Sequence, residues 1–246
     1  IETFDDAKLE GSELQSFKLI EKSDELQQKV KLPLDGISVI ETKDGKQVFN
    51  SINGRYVFDG VIKNVYTNKT VSNVSDAKDE LFMTIQDMNL SDSDIAPIPF
   101  GNPKIPLQAR VFLDPYCETC TTLLKELNKK KDKVHVEILI TPITSQNAVR
   151  RGLDLWCAYE QNTEMGNEVL TALVNPEQPV KKASTAFTDK CHGNRVVLNS
   201  ILTRVLNAKG YPFMWRTDGA NVTGIPKDLM QFLNGKRYPN NVPATN

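Results

Sequence analysis

The sequence predicts an α+β N-terminal domain, a linker helix with a proline-rich strap, and an α/β domain that carries a helical insertion. Three observations predict it. Before residue 66, Asp-Gly and Asn-Gly pairs separate short β-branched and aromatic runs, and such pairs supply the positive φ of tight hairpin turns. A helical pattern followed by Pro97, Pro99, Pro103 and Pro106 then interrupts that scheme. Beyond residue 105, strand and helix patterns alternate as in βα units.

The first domain is placed at residues 1–75. "SELQSFKLIEKSDELQQKV" is amphipathic and gives way at "LPLDG" to "ISVIET", "QVFNSI", "RYVFDG" and "VIKNVY", which read as a small antiparallel sheet. Such a sheet buries little surface alone and leaves its edges unpaired, so pairing with a second copy in a homodimer is physically reasonable. Residues 76–104 form the connection. "SDAKDELFMTIQDMNLSDSD" puts Ala77, Leu81, Ile85 and Met88 on one helical face, with Ser75 or Asp76 able to cap its start. The four prolines of the strap keep the backbone extended and semi-rigid.

In the domain at 105–246, "IPLQARVFLD" reads as a strand, "CETCTTLLKELNKKK" as a helix and "VHVEILIT" as a second strand. The helical insertion runs from about 144 to 209. Within it Val149, Leu153 and Trp156 form one face and Val197, Ile201 and Val205 another, and Gly210 stops the last helix. "YPFMWRTDGANVTG" is a hairpin across Asp218-Gly219, and "IPKDLMQFLNGK" is a closing helix with Pro226 near its first turn.

Of the 246 residues, 39% are hydrophobic and 25% charged, which suits one large or two modest globular domains. No apolar run approaches the roughly 18 residues needed to cross a bilayer. The chain opens on Ile1 without a basic-then-apolar leader, which reads as a processed or trimmed start. Net charge is -1 but uneven: -3 over residues 1–76, -4 over 77–100 and +6 over 101–246. "NKKKDK" is short, ends a helix where cations are favourable, and lacks interleaved aromatics, so it argues against nucleic-acid binding.

The chemistry concentrates in "DPYCETC". Cys117 and Cys120 sit where a strand stops and a helix begins, and they can bind a metal, staple a turn or exchange electrons. At a helix start Cys117 faces unpaired backbone N–H groups, which stabilise the nucleophilic thiolate. Cys120, one turn on and more buried, suits a resolving thiol. Glu118 opposes ionisation of its neighbour, an effect that solvent screens. A zinc site needs a second ligand pair. Cys157, Cys191, His192 and His135 supply neither another Cys-x-x-Cys nor a His pair at finger spacing, so no metal is expected. Four cysteines fit an oxidising compartment with one reactive pair and one staple.

"GYPFMW" adds independent weight, because a proline opening a strand after a bulky residue suits a cis peptide bond, although an edge-strand proline reads the same way. Taken with the dithiol after the first strand of the second domain, it resembles the thioredoxin fold. The order of small-sheet domain, linker helix and thioredoxin-like domain with a helical insertion is similar to that of periplasmic disulfide isomerases of the DsbC/DsbG type. "VFLDPYC", "DLWCAYEQN" and "YPFMW" with "DGANVTGIPKDLMQFL" carry the likeness, which spans nearly the whole chain and is most specific after residue 105.

The resemblance implies an α+β dimerisation domain joined by a linker helix to an α/β thioredoxin-like domain. It assigns the nucleophile to Cys117, the resolving thiol to Cys120, the cis-proline to Pro212 with Tyr211 before it at the substrate, and a structural disulfide to Cys157-Cys191. No organic cofactor is implied. Misfolded disulfide-containing proteins would be the substrates, the periplasm the location, and a membrane thiol reductase of the DsbD type the partner that keeps Cys117 reduced. Two positions depart from the family: Glu118-Thr119 between the thiols, and Tyr211 where a threonine is usual. Both tune the sulfurs or touch the substrate, so an oxidase or narrow-substrate reductase stays open beside the isomerase, as does a dimeric chaperone with a minor thiol role.

Overall fold

The computed structural model describes residues 26–34, 36–51, 55–58, 60–175, 177–179, 187–188 and 191–235. The chain divides into two units between Phe82 and Met83. In the first, β1 (Leu26–Lys31), β2 (Ile37–Thr42), β3 (Gln47–Ser51) and β4 (Val57–Phe58) form an antiparallel sheet in that order. The β2–β3 turn falls at Asp44-Gly45, where Gly45 takes φ 83 and Thr42 N–H donates to Lys46 O at 3.0 Å. The Asn-Gly pair at 53–54 and most of the amphipathic N-terminal stretch lie outside the described residues. The end of that stretch is strand β1, because its last residues alternate in exposure and β2 offers them a partner.

A two-stranded ribbon, β5 (Ile62–Lys63) with β6 (Thr70–Val71), leads to α1 (Val74–Glu80). Val30, Leu32, Val39, Phe49, Val71, Val74 and Ala77 make this unit's core. Asn73, and neither Ser75 nor Asp76, caps α1 by accepting from Asp76 N–H. The helix expected over about 76–90 ends at Glu80. Downstream, Thr84 N–H and Oγ1–H both donate to Asp87, Asp87 N–H returns to Thr84 Oγ1, and Asn89 adopts φ 55. These local side-chain bonds compete with helical ones and fold 84–89 into turns. Ile85 and Met88 are buried, but in the core of the second unit.

The second unit is built on β7 (Pro97–Gly101), β8 (Ala109–Leu113), β9 (His135–Ile140), β12 (Phe213–Arg216) and β13 (Asn221–Thr223), in the order β13-β12-β8-β9-β7. Only β8 and β9 run parallel. The first part of the expected strap is thus an edge strand paired to β9, and the sheet begins before residue 105. An edge strand uses only alternate N–H groups, and Pro97 and Pro99 occupy alternate positions. A small ribbon, β10 (Phe187–Thr188) with β11 (Cys191–His192), lies within the insertion.

Helices cover both faces of the sheet. Val111 and Leu113 of β8 pack in one layer with α2 (Glu118–Asn128), α3 (Gln146–Gln161), α4 (Gly166–Leu173) and α6 (Leu229–Asn234). Phe112, Leu139, Phe213 and Trp215 face the other layer with α5 (Gly193–Val205) and residues 83–95. The helical period of the insertion is as read, but its phase differs. Val149, Val197 and Ile201 are exposed, while Val196, Asn199, Leu202 and Thr203 of α5 point inward. Asn199 turns in because its amide donates to Ile140 O and accepts from Ala96 N–H, satisfying two buried backbone groups. The closing helix starts at Leu229 behind the cap Asp228, so Pro226 precedes it.

Arg110 of β8 is buried between Asp92 and Glu137. Arg110 Nε and Glu137 Oε2 are 2.9 Å apart but not aligned as a hydrogen bond. Burial pushes the Glu137 carboxyl above its ordinary range, outweighing the pull of Arg110. Because the raised value belongs to the folded state, Glu137 favours folding at low pH and loses that contribution as pH rises through its folded pKa. Arg110→Ala should therefore cost about 3 kcal/mol at neutral pH, since it strands a buried carboxylate. Part of the loss should return as the pH is lowered towards 4.5, the ordinary value of the carboxyl. Urea unfolding at both pH values measures this; equal losses would refute it.

Candidate functional site

Every residue of β8 is buried, and the chain must leave it and start α2 within a few residues. Asp114 and Pro115 are still buried, Tyr116 is exposed, and Cys117 is the N-cap of α2 with φ -94 and ψ 110. Its Sγ accepts from Cys120 N–H at 3.1 Å, so a sulfur fills the role a serine or aspartate oxygen takes at other helix starts. Cys117 and Cys120 are joined, with Cα atoms 5.2 Å apart. The two cysteines are unequal: Cys117 is half-buried, while Cys120 is 2% exposed. Glu118 and Thr119 between them are exposed.

Residues 211–212 meet this turn through the sheet. The Tyr211-Pro212 peptide is cis, and Phe213 pairs with Phe112, which puts Pro212 beside Leu113 at the strand end from which the dithiol turn departs. Tyr211 O–H donates to Thr203 Oγ1 at 2.7 Å, fastening its ring to α5. Burial pushes the Tyr211 phenol up; the bond to Thr203 pulls it back, and the charge of Asp114 adds to the rise.

Asp114 belongs to this site although no motif marks it. Its carboxylate is 1% exposed and accepts from Tyr116 N–H, Ile143 N–H, Thr144 N–H and Thr144 O–H at 2.8 to 3.1 Å. An acid ending an apolar strand three residues before a thiol was the available signal.

Cys157 of α3 and Cys191 of β11 form the second disulfide, with both residues buried. It ties α3 to the start of α5, where Glu160 accepts from His192 N–H and pairs with Arg195. His135 Nδ1 is 2.6 Å from Ile105 O, and His192 Nδ1 is 2.8 Å from Glu160. Among the described residues no group of three or more His, Cys, Asp or Glu is placed to hold a metal ion. No described helix is long and apolar enough to cross a membrane. The described site is a disulfide at a helix N-terminus, joining a half-buried cysteine to a sealed one.

No family model matches the sequence, and no curated protein matches it. Among solved structures, the thiol-disulfide exchange protein alpha-DsbA2 of Wolbachia pipientis aligns at 16% identity and a TM-score of 0.47, over 63% of this chain and 91% of that one. A disulfide interchange protein of Neisseria gonorrhoeae aligns at 22% identity and 0.42, over 52% and 85%. DsbG of Helicobacter pylori aligns at 15% identity and 0.38, over 81% and 98%.

The second disulfide closes a separation of 34 residues, worth roughly 4 kcal/mol in the chain-entropy account. The Cys157→Ala/Cys191→Ala variant should melt well below the parent yet keep its Cys117 chemistry while folded. Calorimetry with a small-disulfide reduction assay checks both; an unchanged melting temperature, or lost reduction in the folded variant, would contradict this reading.

Proposed function

We propose that the protein is a thiol-disulfide oxidoreductase that rearranges wrong disulfides in envelope proteins. The observation that carries the reading is the asymmetry of the dithiol: Cys117 is half-buried at the helix start, and Cys120 is sealed. The helix N-terminus and the Cys120 N–H favour thiolate at Cys117. That thiolate attacks one sulfur of a substrate disulfide. The substrate S–S bond breaks, a mixed disulfide forms, and the other substrate sulfur leaves as a thiolate. In isomerisation this freed thiol attacks elsewhere in the substrate until Cys117 is displaced. When it stalls, Cys120 attacks Cys117, releases the substrate reduced and closes the Cys117–Cys120 bond; a membrane thiol reductase of the DsbD type would then reopen it.

Tyr211 and Pro212 present backbone to the substrate beside the dithiol in this reading. The anchored ring of Tyr211 favours, as a second reading, a reductase or oxidase with a narrower choice of substrate. Homodimerisation through the first unit is supported by its exposed Tyr56, Phe58, Val61, Val65 and Tyr66. Periplasmic location belongs to the same proposal.

The parent should restore activity to a scrambled multi-disulfide protein, Cys117→Ala should leave recovery at the uncatalysed rate, and Cys120→Ala should accumulate mixed disulfides. Equal recovery with parent and Cys117→Ala would instead favour a chaperone. Sedimentation of the full chain should give twice the 27.6 kDa chain mass; a monomer would remove the dimer from the proposal.

A further inference from the structure

We propose that Asp114 is a positioning residue that sets how strongly Cys117 and Cys120 hold each other as a disulfide; the inference rests on the oxidoreductase reading. Asp114 grips the turn before the nucleophile twice. Its Oδ1 accepts from Tyr116 N–H at 2.8 Å, and its backbone carbonyl accepts from Cys117 N–H at 3.2 Å. The other oxygen accepts from Ile143 N–H at 2.9 Å and Thr144 N–H at 3.1 Å, and Thr144 O–H closes the set. Next to it Thr141 N–H donates to Leu113 O at 2.8 Å. One buried carboxylate therefore fastens the residue preceding Cys117 to the loop that follows β9.

Two consequences act in the same direction. First, Cys120 is fixed by α2, and Cys117 can meet it without further ordering only while the turn is held; a held turn raises the effective concentration of one thiol at the other and favours the disulfide. Second, a buried negative charge near Cys117 disfavours its thiolate, so it disfavours the reduced form. Removing either effect makes the pair more oxidising. Asn in place of Asp114 keeps the shape but offers a single acceptor oxygen. Its NH2 must then face either Tyr116 N–H or the N–H pair of Ile143 and Thr144, and a buried donor loses its partner.

The test equilibrates the full chain with mixtures of reduced and oxidised glutathione. The Cys117–Cys120 disulfide takes two electrons and two protons from two glutathione thiols, giving the protein dithiol and one glutathione disulfide. Alkylation then reports the oxidised fraction. Asp114→Asn should lower the equilibrium constant for the protein disulfide about tenfold, a potential about 30 mV more oxidising. Thr144→Val, which removes only the hydroxyl donor on the far loop, should lower it about threefold. Both variants should also lose more melting temperature when oxidised than when reduced, which a merely structural role would not produce. Parental equilibrium constants in both variants, or equal thermal losses in the two redox forms, would overturn the proposal. If Asp114→Asn fails to fold, Thr144→Val decides alone, and an unchanged constant there overturns it. A parent that does not exchange with glutathione removes the oxidoreductase reading and this proposal with it, whereas a parent that exchanges beside variants that match it removes only the role of Asp114.

Discussion

The hydrogen bonds at the join between β8 and α2 are the constraint on which the dithiol end of the second unit depends. A strand with no exposed residue gives way to a helix whose first N–H groups have no partners within the helix. The local sequence supplies few acceptors: the Asp114 carboxylate and carbonyl, and the sulfur of Cys117. Asp114 takes the N–H of Tyr116 and the carbonyl takes that of Cys117, which leaves the sulfur to receive Cys120 N–H. The donors that need satisfying at this helix start are therefore the donors that stabilise a thiolate, and the fold creates the chemical opportunity without any group dedicated to it.

The same join governs what surrounds the sulfurs. Because β8 pairs with β9 on one side and β12 on the other, the ends of three neighbouring strands converge there. β9 contributes the loop of Ile143 and Thr144, held to Asp114, and β12 contributes Tyr211 and Pro212, held to α5 through Thr203. The helical insertion thus reaches the dithiol end through Tyr211 and is stapled within itself by Cys157 and Cys191.

What could be read from the sequence follows from the range of the forces involved. Local backbone requirements were legible: Gly45 and Gly219, each the second residue of an Asp-Gly pair that predicts a hairpin turn, sit at positive φ. The strand and helix around Cys117 were legible too, since an apolar run meets an amphipathic one. Long-range satisfaction of polar groups was not. Asn199 points into the core to serve Ile140 and Ala96, and together with the burial of Val196 and Leu202 it sets the phase of α5 against the apolar pattern of Val197 and Ile201. Pro97 and Pro99 suggested a strap because nothing local shows that β9 has an open edge. Thr84 and Asp87 broke an apolar periodicity that continued past Glu80. Asp114 carries no local signal of its partners for the same reason as Asn199, since three of the four donors to its carboxylate lie 29 or 30 positions away.

The central claim is that the strand-to-helix join makes Cys117, and not Cys120, the reactive sulfur. The most direct measurement is the rate of alkylation of the reduced full chain as a function of pH, with the modified residue located by peptide mapping. The account predicts fast labelling confined to Cys117 with a midpoint clearly below the 8.5 of an ordinary thiol, in the range of about 3.5 to 7.5 reached at helix N-termini. Labelling that maps first to Cys120, or a midpoint at the ordinary thiol value, would contradict it.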